Sequence, residues 1–304
     1  MQNLMANEHP IKTAVVCHDA GGAEVVSSYV RQHNIDSLFI LEGPAVKVFE
    51  RKLGSIKISS LKDAVYQSAS VLCGTSWQSD IEFNAIKLAR ELEKSSVAFL
   101  DHWVNYQDRF IRYGETVLPD KIWVGDTIAE SIAIRAFPNT SVVLIDNPYL
   151  LDIKNELHNY QIGRLSLYES ISVIYICEPI STHAKLRYGD ARYWGYVEED
   201  ALRYFLSNIS IFGHSISQIL IRPHPSEPIG KYNWLKKEFK LPIQLGGSHS
   251  LVEEIANSDL VAGCESMGMV VGLLAGKKVV SCIPPGGKSC GLPHIEIVHL
   301  QNIL

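Results

Sequence analysis

Two titratable side chains and two glycines follow the first apolar run of the chain. Residues 13–17 read Thr-Ala-Val-Val-Cys, and His18, Asp19, Gly21 and Gly22 come directly after them, where a helix-like segment begins. Glycines let the backbone turn tightly and leave helix N–H groups free for an oxygen-rich ligand. We expect Asp19 to act as a general base on a hydroxyl, with His18 and the two glycines contacting the substrate. The alternative is a tight turn in which Asp19 only caps the helix.

A second polar group follows the apolar run at 97–100. Asp101, His102, Trp103 and Arg109 combine a carboxylate, an imidazole, an aromatic ring and a cation within nine residues. Aromatic faces with polar neighbours suit sugar rings, which stack their C–H faces and form hydrogen bonds at their rims. We therefore predict that these four residues bind substrate. The alternative is a buried tryptophan whose polar neighbours are already satisfied.

The C-terminal half places a cation and an imidazole after an apolar run. Arg222 and His224 follow residues 219–221, and three prolines between 223 and 228 fix φ along the loop. A rigid Arg/His pair suits a phosphate because little conformational entropy is lost when it binds. We expect Arg222, His224 and Pro225 to bind a phosphate-bearing ligand, with His224 as a catalytic residue.

A further strand-like run, 260–262, leads into a glycine, a serine and an apolar helix. This order is typical of a helix N-terminus that binds an anion, although Ser266 could instead only cap the helix. Gly246 and Gly247 precede another serine upstream. The additional residues that we predict to bind this phosphate-bearing ligand are Ser248, Gly263, Glu265, Ser266, Met267 and Gly268.

Several familiar cofactor and metal motifs are missing from the sequence. No Gly-x-Gly-x-x-Gly fingerprint occurs, and a Walker A motif ending at 286–289 would need glycine at the position of Cys282. None of the six cysteines forms a Cys-x-x-Cys pair, and His294 and His299 lack the spacing of metal ligands. We expect buried cysteines in a reducing compartment, no bound metal and no cofactor.

Alternating strand-like and helix-like segments must position these residues. The segment 82–93 shows the helical kind, with apolar residues on one stripe, and 197–212 is a second example. Strands are predicted at 13–17, 37–41, 56–58, 71–73, 97–100, 122–124 and 142–145, and then, after a polar stretch at 152–169, at 172–177, 219–221, 243–245, 260–262, 279–281 and 295–298.

The restart of this pattern predicts two domains. We expect an α/β protein with two Rossmann-like domains facing across a cleft. Residues 1–160 would form the first domain and residues 161–304 the second. Ligands in such sheets bind beyond the carboxyl ends of the strands, which is where the residues singled out above lie in the sequence.

Composition limits the class of protein. The 304 residues are 46% hydrophobic and 20% charged, which excludes a disordered, collagen-like or coiled-coil chain. A net charge of −5 argues against a general nucleic-acid binder. The first ten residues are polar and no long apolar stretch occurs, so we expect no signal peptide and a cytoplasmic protein, with at most a peripheral contact at the inner face of the membrane.

Parts of the C-terminal half resemble a known family. The sequence is similar there to the donor half of GT-B glycosyltransferases, and most of all to bacterial surface-polysaccharide enzymes that use CMP-activated acidic sugars such as sialic acid, Kdo and related nonulosonates. The CDP-glycerol glycerophosphotransferases share similar elements. The segments that carry the resemblance are 222–225, 250–255, 263–268 and 273–280.

The resemblance implies roles for individual residues. In that family a His-Pro motif and a serine at a helix N-terminus hold the nucleotide phosphate, which implies these roles for His224, Pro225 and Ser266, and less directly for Ser248. An acidic residue near a glycine after an early strand serves as the base, and Asp19 is the matching position. The family's ribose-binding glutamate is replaced by the run Val-Gly-Leu-Leu at 271–274, and its Ser-Ser pair reads Glu265-Ser266.

The function implied is inverting, metal-independent transfer of a sugar to a glycan or lipid-linked glycan. Residues 1–160 would then be the domain that receives the acceptor, and residues 161–304 the domain that binds the donor. The donor is a nucleotide sugar, with a CMP-linked acidic sugar favoured, and no Asp-x-Asp metal motif occurs. One alternative is an epimerase or hydrolase of a UDP-sugar, of the type of UDP-GlcNAc 2-epimerase. Another is a non-catalytic protein that binds a nucleotide or a sugar.

Overall fold

The computed structural model describes residues 12–160, 170–213 and 215–304. The first ten residues, where we expect no signal peptide, lie outside this range, and so does the part of the polar connection from 161 to 169. The chain divides into two compact units, Met1–Asp152 and Ile153–Leu304. Each unit is built on its own six-stranded parallel sheet, which confirms the predicted pair of Rossmann-like α/β domains.

The N-terminal sheet has the strand order β2-β1-β3-β4-β7-β8, and β5 and β6 form a separate antiparallel pair. A 3₁₀ turn, Gln107–Phe110, precedes β5. The strands are β1 (Thr13–Cys17), β2 (Ser37–Leu41), β3 (Ser70–Cys73), β4 (Ser95–Leu100), β5 (Ile111–Arg112), β6 (Glu115–Thr116), β7 (Lys121–Val124) and β8 (Ser141–Leu144). The helices are α1 (Ala20–His33), α2 (Pro44–Leu53), α3 (Leu61–Gln67), α4 (Ile81–Glu91), α5 (Thr127–Ala136) and α6 (Pro148–Leu157), which contains the junction of the two units.

The C-terminal sheet has the strand order β11-β10-β9-β12-β13-β14. Its strands are β9 (Ser170–Ile176), β10 (Ser215–Arg222), β11 (Ile243–Leu245), β12 (Leu260–Gly263), β13 (Lys278–Ser281) and β14 (Val298–His299). Its helices are α7 (Ile180–Tyr188), α8 (Glu198–Ser207), α9 (Leu235–Glu238), α10 (Leu251–Ala256) and α11 (Met267–Leu274). No helix in the described ranges is both long and apolar enough to cross a bilayer.

Both sheets reverse the order in which strands are added at one internal position. This switch lies between β1 and β3 in the N-terminal sheet and between β9 and β12 in the C-terminal sheet. Helices on neighbouring strands then cover opposite faces, so a crevice opens beyond the carboxyl ends of those two strands. The central strands are buried on both faces, which is why they read as continuous apolar runs in the sequence.

The predicted strands are confirmed except at two places. Residues 56–58 form no strand and make only an isolated bridge, in which Ile58 pairs with Phe39, because the chain turns there into the serine cap of α3. The run at 295–298 contributes only its last residue to β14. The helix predicted at 197–212 ends at Ser207 and continues as a 3₁₀ turn, Ile209–Phe212, where the side chain of Asn208 donates back to the Tyr204 carbonyl.

The cysteines lie as expected. All six fall within the described residues and are free thiols, five of them buried and Cys290 half-buried. Burial raises the pKa of the Cys17 and Cys73 thiols well above the ordinary range, so both are protonated and act as small apolar residues.

Gly22→Ala is expected to destabilise the N-terminal domain. A Cβ at this position would lie 3.1 Å from the Cα of Gly74 and 3.3 Å from the amide nitrogen of Thr75, which are backbone atoms that cannot rotate away. Such overpacking costs about 1–3 kcal/mol, more than the gain of up to about 1 kcal/mol from replacing a helical glycine. Thermal unfolding should show a midpoint several degrees lower. An unchanged or higher midpoint would show that the contact is not tight.

Candidate functional site

The carboxyl ends of β1 and β3 bring an imidazole, a carboxylate and a hydroxyl together. Nδ1 of His18 lies 2.7 Å from Oδ1 of Asp19, and the Ser76 hydroxyl donates to the same oxygen over 2.8 Å. Asp19 occupies the N-cap position of α1, yet its side chain makes no capping hydrogen bond. Among the residues that the structure describes, Oδ2 of Asp19 carries no hydrogen bond, so this oxygen is the one able to accept a proton from a hydroxyl.

A buried carboxyl group is hydrogen-bonded to the backbone of this turn. The backbone N–H of His18 donates to Oε1 of Glu82 over 2.8 Å, and the Glu82 side chain, near the start of α4, is only 3% exposed. Its Oε2 atom is buried and has no hydrogen-bond partner in the described structure. Burial raises the pKa of Glu82 to about 7, and the negative charge of Asp19 adds to the shift.

Three of the predicted substrate-binding residues meet beside this turn. Arg109 NH1 lies 2.7 Å from Oδ1 of Asp101 and donates to the Thr75 hydroxyl over 2.7 Å. A Cβ on Gly21 would overlap Oδ2 of Asp101, so any other residue at this position would displace that carboxylate. The positive charge of Arg109 is offset by Asp101, and the pair ties the turn after β3 to the segment after β4.

The surroundings of Trp103 and His102 match the alternative interpretation, in which a buried tryptophan has polar neighbours that are already satisfied. The Trp103 ring is 7% exposed, and its indole N–H donates to Asp126 over 2.9 Å. Nδ1 of His102 accepts the backbone N–H of Trp103 over 3.0 Å. Trp103 is therefore mostly buried with its polar edge satisfied, but it also lines a cavity of about 400 Å³, and the predicted stacking of a sugar on its ring stays a prediction.

The His-Pro loop of the C-terminal domain lines a cavity of about 370 Å³ beyond β10 and β11. Arg222 and His224 both contribute to its wall. However, the Arg222 guanidinium pairs with Glu254 and donates to the His249 carbonyl over 3.1 Å, so Glu254 offsets its charge. Nδ1 of His224 lies 2.7 Å from the Ser226 hydroxyl, and burial lowers the pKa of this imidazole.

Glu227 fixes this loop, and sequence reasoning missed it. Its side chain is 1% exposed and accepts the backbone N–H of His224 over 2.8 Å, the Tyr232 hydroxyl over 2.7 Å and the Lys231 ammonium over 3.1 Å. Lys231 is also paired with the buried Glu198. A carboxylate with this many donors fixes the backbone of the loop at His224, and only its position inside the loop could have drawn attention to it.

The turn between β12 and α11 is occupied by a side chain of the protein itself. Oε1 of Glu178 accepts the backbone N–H groups of Cys264 and Glu265 over 3.0 and 2.9 Å. Burial raises the pKa of Glu178 to about 7, and Glu265, which pairs with Lys288, contributes. Ser266 caps α11 by accepting the N–H of Gly268 over 3.1 Å. Two of the N–H groups expected to bind a phosphate are therefore already bonded to Glu178.

The remaining predicted residues of this region have packing or surface positions. A Cβ on Gly268 would lie 2.6 Å from Cδ1 of Ile176, and one on Gly263 would lie 3.2 Å from the Ile176 carbonyl oxygen, so both glycines let α11 pack closely on β9. Met267 is the first residue of α11 and is partly exposed. Ser248 lies on an exposed turn and lines a separate cavity of about 250 Å³. Within the described ranges, no group of three or more His, Cys, Asp or Glu side chains is arranged to hold a metal ion.

Comparison with known proteins identifies the fold. No family model matches the chain, and no curated protein matches it. Among solved structures, UDP-GlcNAc 2-epimerase from Methanocaldococcus jannaschii superposes with a TM-score of 0.56 at 11% identity, covering 89% of this chain and 83% of the epimerase. The UDP-N-acetylglucosamine 2-epimerase from Rickettsia bellii gives 0.57 at 10% identity, over 92% and 80%. A UDP-glucosyltransferase from Polygonum tinctorium gives 0.50 at 9% identity, over 91% and 80%.

The chain has the GT-B fold. At these identities the likeness concerns the fold, and the chemistry has to be argued from the side chains.

Glu82→Gln is expected to change how stability depends on pH. The pKa of Glu82 is about 7 in the folded protein and 4.5 in a free side chain, so the folded state holds the proton more tightly. This contribution to stability is complete below pH 4.5 and is lost as the pH rises through 7; at about 1.4 kcal/mol per pH unit, it amounts to roughly 3 kcal/mol. Glutamine does not titrate, so the variant does not lose this stability as the pH rises. The free energy of unfolding of Glu82→Gln, measured relative to that of the wild type, should therefore increase between pH 5 and pH 8.

Urea unfolding at the two pH values measures this difference. Glu50→Gln, at an exposed position of α2, is the matched control and should follow the wild-type dependence. If Glu82→Gln also follows the wild-type dependence, the carboxyl group is ionised across this range and its burial has been misjudged.

Proposed function

We propose that the protein is a glycosyltransferase that moves a sugar from a nucleotide donor to a hydroxyl of a glycan or lipid-linked glycan, with inversion at the anomeric carbon. The observation that carries the proposal is the Asp19 carboxylate. Two donors hold its Oδ1 atom, and no residue in the described part of the chain bonds its Oδ2 atom, at the strand-order switch of a GT-B chain.

In this proposal the N-terminal domain activates the acceptor. The acceptor oxygen attacks the anomeric carbon while its proton passes to Oδ2 of Asp19, and the bond from that carbon to the phosphate oxygen of the nucleotide breaks, leaving the electron pair on the phosphate. His18 and Ser76 keep the carboxylate in one orientation by donating to Oδ1. Positioning of this kind contributes to the rate because the reacting atoms do not have to find their geometry in each turnover.

The C-terminal domain would bind the nucleotide. His224 is the side chain best placed for the departing phosphate, because Glu227 fixes its backbone while the imidazole lines an open cavity. Glu254 offsets the charge of Arg222, so we give Arg222 a secondary part. The resemblance of the His-Pro loop and of the Ser266 region to enzymes that use CMP-activated acidic sugars supports CMP as the nucleotide. The sequence has no Asp-x-Asp motif, which supports a metal-independent scheme.

A sugar-nucleotide epimerase or hydrolase is the second candidate. Solved structures of UDP-GlcNAc 2-epimerases, including a putative one from Listeria monocytogenes with a TM-score of 0.56, match the fold slightly better than the glucosyltransferase does. Such an enzyme acts on the bound sugar and needs no acceptor. A protein that binds a nucleotide or sugar without turnover is the third candidate, of a different class.

Asp19→Asn should abolish transfer and leave nucleotide binding intact. Removing a general base typically costs a factor of about 10² to 10⁴ in rate, and the asparagine still accepts hydrogen bonds at Oδ1. Activity is measured with CMP-N-acetylneuraminate and a panel of glycan acceptors, and binding by the thermal shift with CMP. Glu50→Gln is the control at an exposed position. Loss of CMP binding in Asp19→Asn, or full activity, would contradict the assignment of the base.

The identity of the nucleotide separates the candidates. CMP should raise the midpoint of thermal unfolding more than CDP, UDP or GDP at equal concentration, because binding to the folded state stabilises it in proportion to the logarithm of ligand concentration over Kd. His224→Ala should weaken that shift. A preference for UDP, with turnover of a UDP-sugar in the absence of acceptor, would establish the epimerase or hydrolase instead.

A further inference from the structure

The N-terminal domain contains a cavity that none of the assignments above uses. It lies beyond the carboxyl end of β2 and has a volume of about 480 Å³, which is within the range of about 300–1,000 Å³ that is typical of small-molecule sites. We call it the β2 cavity. Its walls are the segments 40–42, 58–61 and 79–81, together with Asn84.

Two of its wall residues connect it directly to the Asp19 site. The backbone N–H of Ser79 donates over 3.2 Å to the Ser76 hydroxyl, which itself donates to Asp19. The Ser79 hydroxyl donates to Oε2 of Glu42 over 3.2 Å. From the other side, the N–H of Glu42 donates to the Cys17 carbonyl over 3.1 Å, at the end of β1. The cavity and the carboxylate therefore share one hydrogen-bonded wall.

The charge of the cavity wall is negative. Its charged side chains are Glu42 and Asp80. Asp80 is paired with Arg112 over 2.9 Å and accepts the Tyr113 hydroxyl, so its charge is offset. Glu42 makes no ion pair with any described residue, and it is an exposed residue of the cavity wall whose carboxylate accepts only the Ser79 hydroxyl among the described residues. An anionic group placed there would meet an uncompensated like charge, which costs binding energy.

The rest of the wall suits a sugar ring. Ser59 and Asn84 supply a hydroxyl and an amide group, and Ile58, 46% exposed, supplies an apolar surface, whereas the Ser60 hydroxyl is bonded to Asp63 as the cap of α3. The segment holding them is fixed to the sheet by the Ser59 N–H, which donates to the Phe39 carbonyl over 2.8 Å. A carboxylate accepts hydrogen bonds from sugar hydroxyls or from an ammonium group, whereas the apolar surface receives the C–H face of a ring.

We propose that the β2 cavity binds the acceptor, and that the acceptor is a neutral or amine-bearing glycan rather than one carrying a carboxylate or phosphate next to its reacting hydroxyl. Glu42 is the residue that determines this specificity. The inference rests on the proposed function for the identity of the site, and adds the chemical class of the acceptor and the residue that selects it.

Three disaccharides of similar size test the proposal by isothermal titration of the whole protein at pH 6.5 and low salt, with and without CMP. They are chitobiose, which carries amines, N,N′-diacetylchitobiose, which is neutral, and the glucuronate-containing disaccharide of hyaluronan, which is anionic. The neutral compound should bind at least about tenfold more tightly than the anionic one, a difference of about 1.4 kcal/mol. Chitobiose should bind most tightly of the three.

Glu42→Gln is the decisive variant, because it removes the charge and keeps an oxygen for the Ser79 hydroxyl. The three affinities should converge to within about threefold, while Glu50→Gln, which alters the same charge outside the cavity, should keep the wild-type order. Equal or tighter binding of the anionic disaccharide, an unchanged order in Glu42→Gln, or no binding of any of the three overturns the proposal. Because no sugar is transferred in this experiment, a negative result with intact CMP binding rejects the acceptor class and leaves the proposed donor site standing.

Discussion

A contact between two glycines sets the geometry of the N-terminal site. Gly22, in the first turn of α1, lies against the backbone of Gly74 so closely that a single added carbon would be 3.1 Å from its Cα. The contact brings the turn after β1 against the turn after β3, at the point where the strand order switches. With these turns so close, Ser76 reaches Asp19, and Asp101 lies beside Gly21. The carboxylate that we assign as the base depends on this approach.

Buried glutamates hold the strand-end turns in both domains. Each accepts backbone N–H groups from the turn that carries a candidate residue. These carboxylates therefore satisfy and fix N–H groups of the loops, as the hydrogen bonds between strands do within the sheets. Glu82 accepts the N–H of His18, Glu227 that of His224, Glu254 that of Gly247, and Glu178 those of both Cys264 and Glu265. Fixing a loop this way removes conformational freedom before a ligand arrives, which favours binding by lowering its entropic cost.

The sequence predicts the strands of both sheets well because each buried strand is marked by an apolar run of consecutive residues. Runs that are apolar on both faces belong to buried parallel strands, and the restart of the pattern in the second half predicts the second domain. The rule that ligands lie at strand ends also finds His18, Asp19 and the Asp101–Arg109 pair, since all follow strands of one sheet. The serine at 76 follows a strand in the same way, so the same rule points to it.

The glutamates could not be predicted in this way. Glu82 lies 64 residues from the N–H group that it accepts, and Glu178 lies 86 residues from Cys264, so no local pattern connects the partners. The partner of Trp103 could not be predicted for a related reason. Its indole N–H donates to Asp126, which lies 23 residues further along the chain. The same holds for Arg222, whose charge is offset by a glutamate on α10.

In our proposal Oδ2 of Asp19 receives the proton of an acceptor hydroxyl. A crystal structure of the protein with CMP and N,N′-diacetylchitobiose would show whether a hydroxyl reaches this atom. We expect a sugar hydroxyl oxygen at hydrogen-bonding distance, about 2.6–3.2 Å, from Oδ2, with His18 and Ser76 still bonded to Oδ1. A bound sugar with no hydroxyl near Asp19, or an Oδ2 atom bonded to a group of the protein itself, would contradict the proposal.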